Sequence, residues 1–344
     1  MVAIAQVHGP SDWRGGEIGG SSEWRFPLGA AHRAELLAAV RAVEAADLPL
    51  TRISPETFAL PALGPVLRRL TGELMDGRGF CLVEGVPVEG MSERQCEIAA
   101  LGIGCHVGGI VPQGPGETPL RHVRDVGVDP SEPTSRSYQH SGRLGYHADP
   151  TDVVALLCVR PAKSGGLSTI VSSAAVHNEI VRTRPDLAEV LYEPWWFDRR
   201  TGDGPDSFYT RPVYTVHDGR MAANYGPDYM RSAQRGAHVP PFTPAQLEAM
   251  DVIDRLNNDP RFALTMDLRA GDMQFLNNHA VMHSRTAYED HPEPELRRDL
   301  IRLWLATESL TAPPGQHAPI QRARNVRGGQ QNAAPLRGEE PRTG

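Results

Sequence analysis

The segment GYHADPTD sets His147 and Asp149 two residues apart near the start of a strand-like run. Side chains on a strand repeat every two residues, so both leave the same face. An imidazole nitrogen beside a carboxylate oxygen is a donor pair that one metal ion can take up. It suits iron(II) once a third ligand completes a facial set of two histidines and one carboxylate, with three octahedral positions left open. Taken alone, HxD is common, and a surface turn reads equally well. A partner is offered far along the chain by NNHAVMHSR, where His279 and His283 are both available. Spacing alone does not choose between them. The segment RRDLIRLWLA then carries Arg297, Arg298 and Arg302. A guanidinium fork grips a carboxylate through two parallel hydrogen bonds. A solvated basic face is the plain alternative. It is weakened because Arg302 stands between Ile301 and Leu303, where an unpaired charge is costly, and alternates with Leu300 and Trp304 as on an inward face.

These residues need elements to position them. Leu36, Leu37, Val40 and Val43 recur at helical spacing between Ala30 and Ala46, and Leu63 to Met75 repeats the pattern. GRGFCLVEGVPV reads as a glycine turn into a short buried strand, and Ser92 caps a helix to about Leu101. From Gly108 to Ser141 glycine, proline and serine are frequent without periodicity, so this span reads as a long loop. DVVALLCVRP and LSTIVSS, joined through Gly165-Gly166, read as strands. One helix is expected after Ser173, through AAVHNEIVRTRPDLAEVLYEP, and another follows Thr243 with Pro244 at its first position. RPVYTVHDGRMAANY, RFALTMDLRAGDMQFLNN and DLIRLWLATES are further strand-like pieces. Strands separated by turns, with no regular strand–helix alternation, indicate an antiparallel sandwich or jelly roll rather than a doubly wound sheet.

The 344 residues, 40% hydrophobic and 22% charged, are within reach of one large domain. The expected division is a flexible arm over residues 1–22, a single domain over 23–310, and a disordered tail over 311–344 rich in Pro, Gly, Gln and Arg. A net charge of −7 without a basic block argues against nucleic acid as a partner. Cys81, Cys96, Cys105 and Cys158 form no CxxC pair and read as buried thiols of a reducing compartment. No signal-like start and no run of about 20 apolar residues occurs, so a cytoplasmic location away from membranes is expected. Neither GxGxxG nor GxxxxGK[ST] is present.

Four motifs occur in order: HAD at 147–149, GGLST at 165–169, GDMQFLNNHAVMH at 271–283 and RDLIR at 298–302. From about Gly142 to Ala306 the chain resembles the TauD/TfdA-like, clavaminate-synthase-like family of iron(II)/2-oxoglutarate-dependent oxygenases. The resemblance implies a mainly β fold with flanking helices around a double-stranded β-helix, the cupin-like jelly roll. Aligning Asn278 with the family asparagine makes His283 the third iron ligand beside His147 and Asp149. It also implies that Arg298 holds the distal carboxylate of 2-oxoglutarate and that Arg302 lies near its keto-acid end. Ser168 matches the family hydroxyl better than Thr169, although two β-formers on a strand read as well.

With O2 as second co-substrate, the implied reaction is hydroxylation of an unactivated C–H bond of a small metabolite, amino-acid-like or a natural-product intermediate. Succinate and carbon dioxide are released. Desaturation, cyclisation and demethylation use the same ligands, whereas Asp149 disfavours halogenation, which needs a small residue there. A non-oxidative cupin-like metal protein would leave Arg298 and Arg302 unexplained, and an inactive binding module would not need the triad. Tyr138, His140, Tyr146, Asn224 and Tyr225 are the expected substrate contacts. The remaining histidines, among them His106, His122 and His177, read as surface or hydrogen-bonded residues. A homo-oligomer is left open.

Overall fold

The computed structural model describes residues 4–113, 118–128, 137–200, 207–217 and 220–307. The expected tail, 311–344, lies outside them.

Two sheets face each other. The larger contains β1 (Arg25–Pro27), β2 (Phe80–Glu84), β3 (Gly109–Val111), β4 (Arg121–Val123), β6 (Val153–Arg160), β9 (Met273–Asn277) and β11 (Asp299–Ala306). Its order is β1-β2-β9-β6-β11-β3, with β4 also on β11. Every pairing is antiparallel except β1 with β2. The smaller sheet holds β5 (Leu144–His147), β7 (Ser168–Ser172), β8 (Leu264–Met266) and β10 (Val281–Arg285), in the antiparallel order β8-β7-β10-β5.

Alternation along each strand sorts its side chains between two environments. On β11, Ile301, Leu303 and Leu305 join an outer core with Leu36, Val40, Leu63, Leu67 and Leu70 of the helices Ala30–Ala45 and Leu63–Asp76. Leu300 points the other way, into the space between the sheets, where Phe80, Leu82, Val154 and Leu276 meet Ile170, Leu264 and Val281. A third core lies outside the smaller sheet, where Val171 and Met282 pack on the helices Ser173–Thr183, Pro185–Tyr192 and Pro244–Asn257. The result is helix, sheet, sheet, helix.

Local chemistry accounts for the helix starts. Ser92 with Gln95 and Thr243 with Gln246 form capping boxes. The helix expected after Ser173 is two helices. Ser172, not Ser173, accepts the cap hydrogen bond, and Arg184 adopts φ −144°, ψ 65° before Pro185. The proline ring disfavours helical backbone at the preceding residue. The span expected as a loop contributes β3 and β4 to the edge of β11, strands too short to give a periodic signal.

The described part of the expected flexible arm is packed. Trp13 is buried against Phe80 with ring centroids 5.0 Å apart, and Asn178 binds the backbone of Val7. The four cysteines are free thiols. Among the described residues no helix is long and apolar enough to cross a membrane.

Candidate active site

β5 and β10 are paired in a register that sets His147 opposite His283, with ring centroids 4.2 Å apart. The strand ends at His147. Asp149 follows it in a turn, its backbone N–H donating to Asn278 Oδ1 at 3.0 Å. His147 Nε2 lies 3.8 Å from Asp149 Oδ1, and His283 Nε2 lies 4.0 Å from Asp149 Oδ2. One donor atom from each residue falls within 4.8 Å of the other two. An ion about 2 Å from each donor can bridge such a gap with small side-chain adjustment.

Electrostatics prepare the three for a cation. His147 Nδ1 lies 2.9 Å from the Gly145 carbonyl, a contact that orients the ring with Nε2 toward Asp149. Burial, aided by His147, pushes the His283 pKa down to about 3, so its ring is neutral. Burial alone would raise the Asp149 pKa. Arg302, then the two histidines and the Trp304 indole, outweigh it and hold the carboxyl below the usual range.

Two inward residues of β11 flank that carboxylate. Trp304 Nε1 donates to Asp149 Oδ2 at 3.1 Å, and Arg302 Nη1 lies 3.7 Å from the same oxygen. Arg302 is held by Gln113, which accepts from its Nε at 3.0 Å and donates to its carbonyl at 2.9 Å. Its guanidinium lies 5.0 Å over both Tyr138 and Trp304. Trp304→Phe keeps the ring and removes the donor. Metal affinity is expected to fall about 10- to 100-fold, read by competition with a chelator, and an unchanged affinity would show that the indole does not orient Asp149.

Arg298 lies at the opposite end of the inter-sheet space from Trp304. It is buried, donates from Nη1 to the Val123 carbonyl at 3.3 Å and lies 5.0 Å over the Tyr288 ring. The Gly165-Gly166 turn covers it. Both glycines have positive φ. A Cβ on Gly165 would come within 2.3 Å of the Ala287 carbonyl oxygen, and one on Gly166 within 3.1 Å of Arg298 Nε. Ser168 points inward and donates to Gln274 at 3.0 Å, whereas Thr169 faces the third core, outside the smaller sheet, and bonds the Tyr146 phenol.

The structure divides the other candidates. His279 is set apart from the triad, 3.1 Å from Asp152 in a buried pair. Tyr138 stands at Arg302. Asn224 stands with Arg211 and Asn278 beside Asp149. His140 reaches the site through its carbonyl, which accepts from Arg285 at 2.8 Å. Tyr146 and Tyr225 are brought elsewhere, into the third core outside the smaller sheet, where the Tyr225 hydroxyl donates to Asp254 at 2.9 Å. Sequence reasoning did not single out Trp304, Gln113 or Arg285. For Trp304 and Arg285 the signal was parity: each lies two residues from a residue that was named. Gln113, in the irregular span, gave none. Of the other histidines, His122 contacts Asp299 at 2.8 Å, His177 contacts Tyr192 at 2.9 Å and His106 contacts the Phe58 carbonyl at 2.8 Å.

The sequence profile described as "Taurine catabolism dioxygenase TauD, TfdA family" matches residues 46–304, a span that contains all four motifs. The chain belongs to the TauD/TfdA family. Among curated TauD/TfdA-like relatives, FR-33289 synthase of Streptomyces rubellomurinus is 28% identical over 319 residues, covering 90% of this chain and 93% of that one. A taurine hydroxylase-like protein of Stachybotrys chartarum is 30% identical, covering 88% and 81%. Among solved structures, asparagine oxygenase in complex with Fe(II), 2S,3S-3-hydroxyasparagine and succinate superposes with a TM-score of 0.66 at 17% identity, covering 83% of this chain and 94% of that one. At that identity the likeness speaks for the TauD/TfdA fold.

Proposed function

We propose that His147, Asp149 and His283 hold iron(II), and that Arg298, with Ser168 beside it, receives the distal carboxylate of 2-oxoglutarate. The protein is an Fe(II)/2-oxoglutarate-dependent dioxygenase that hydroxylates an unactivated C–H bond of a small metabolite. The observation that carries this reading is the pairing of two features in one inter-sheet space: three converging donors and, beyond them, a buried arginine. A metal hydrolase has use for the first and none for the second. The two facing antiparallel sheets support the finer assignment of a double-stranded β-helix, and the domain is taken to span residues 23–310 together with the described N-terminal segment packed on it.

Iron(II) held by these residues would supply the oxidative chemistry of the overall reaction, in which 2-oxoglutarate and O2 become succinate and carbon dioxide and one oxygen atom enters the substrate C–H bond. The chain's residues set the conditions. His147 and His283 bind through neutral nitrogens, while Asp149 fills the position that a halogenase leaves for chloride. Trp304 and Arg302 fix the carboxylate's orientation. The apolar Ile170, Leu300 and Val154 keep water from the space beyond. Tyr138 and Asn224, at the borders of the triad, are the residues placed to touch substrate. The relatives' names favour an amino-acid-like compound or a natural-product intermediate.

The test is succinate release from the iron-loaded enzyme across a panel of such compounds. Product mass separates gain of one oxygen from loss of two hydrogens. Binding of 2-oxoglutarate without succinate release for any compound, or in the uncoupled reaction, would oppose an oxygenase.

A further inference from the structure

We propose that Arg285 is a second guanidinium for the distal carboxylate of the co-substrate, so that the anion is gripped between Arg285 and Arg298 with Ser168 alongside. This rests on reading the site as one for 2-oxoglutarate.

Register places Arg285 there. On β10 it lies two residues from His283, and its partner across the pairing with β7 is Ser168, as Ile170 is the partner of His283. Parity sends His283, Arg285 and Ser168 to the same inward face. Alternate residues on a strand are about 7 Å apart. That is the reach of a five-carbon dicarboxylate anchored at one end beside His283. Arg298 arrives at the same place from the opposite sheet: the Arg285 guanidinium lies 4.8 Å, and that of Arg298 5.0 Å, from the centre of the Tyr288 ring.

The hydrogen bonding of Arg285 is half used. Its Nη2 donates to the carbonyls of His140 and Gly142. Its Nε and Nη1 are buried without a partner, in a side chain only 5% exposed. Buried donors on a charged group are seldom left so, and here they belong to one of two neighbouring cations. Among the described residues, neither guanidinium has a carboxylate oxygen within 4.0 Å. Of the acids whose charge they feel, Asp290 accepts the Arg298 backbone N–H through Oδ1 at 2.7 Å and leaves Oδ2 unpartnered, and Asp125 accepts the N–H groups of Gly127 and Ser141; neither carboxylate reaches a guanidinium. Two neighbouring buried positive charges, with unpartnered donors on Arg285, form a place suited to an anion. A carboxylate offers two oxygens with about four lone-pair sites, enough for both arginines and for the Ser168 hydroxyl once it turns from Gln274.

The experiment compares two keto acids on the iron(II)-loaded protein without oxygen, followed by the visible charge-transfer band. 2-Oxoglutarate carries the distal carboxylate, and 2-oxobutyrate lacks it. Arg285→Gln is expected to raise the Kd for 2-oxoglutarate about 30-fold or more while moving that for 2-oxobutyrate by less than about twofold. Arg285→Lys, which keeps the charge and loses the fork, is expected to fall between. Equal weakening of both ligands would mean that Arg285 only clamps the 140–142 segment, and no weakening would mean that it does not meet the anion. Either result overturns the proposal. If the Gln variant does not fold, the same ratio is read on the Lys variant. Failure of the wild type to bind 2-oxoglutarate, or indifference of its affinity to Arg298→Ala, would instead remove the reading underneath.

Discussion

His283→Ala is expected to abolish the weak visible band that the iron(II)–2-oxoglutarate chelate develops without oxygen, whereas His279→Ala is expected to leave the band and lower stability. The two histidines are four residues apart, yet their surroundings differ. His283 faces His147 across a strand pairing, with Nε2 4.0 Å from Asp149. Removing it leaves two ligands on one side of the ion and eliminates the ring that burial keeps neutral for binding. His279 contacts Asp152 at 3.1 Å, and Asp152 also accepts the Thr307 N–H at 2.9 Å. Loss of that imidazole removes a partner from a buried carboxylate, at a cost of about 3 kcal/mol. Anaerobic absorbance and thermal unfolding of both variants check the pair. A band retained by His283→Ala and lost by His279→Ala would reverse the ligand assignment.

Arg298→Ala is expected to weaken 2-oxoglutarate binding by about 30-fold or more, since truncating one partner of a buried charge pair costs at least about 2 kcal/mol. The effect belongs to co-substrate affinity and not to the metal, because Arg298 touches Val123 and Tyr288, away from the three donors. Titration of the anaerobic band gives the Kd directly. An unchanged value would take Arg298 out of the site.

The elements that carry the site were legible where one periodicity ran long enough. The alternation in DLIRLWLA foretold both faces of β11, and the 3.6-residue spacing foretold the helices at Ala30 and Leu63. Tertiary pairing supplied what no local pattern encodes. β3 and β4 are three residues each and exist because β11 offers them an edge. The helix after Ser172 was read through Arg184-Pro185 because its apolar spacing continues past the proline, although the ring forces the break. Tyr146 was drawn in by nearness to the metal motif along the chain. Parity would have excluded Tyr146, which must face away from its neighbour His147, and applied to HSR it would have included Arg285. The choice of His283 over His279 came from resemblance alone. Its physical basis is a register between strands far apart in sequence.

That register has a consequence for folding. His147 and His283 come from strands whose pairing closes a very long stretch of chain, so the ion's site cannot assemble from a short local fragment. Such distant contacts carry a large loop-closure entropy and form late. A metal joining the two histidines then acts as a clasp on the last seam to close. Iron occupancy would therefore favour the complete fold over partly open forms, in proportion to free iron over its dissociation constant. A chain cut short before β10 would retain its first histidine and its aspartate but have no means of holding the ion between two sheets.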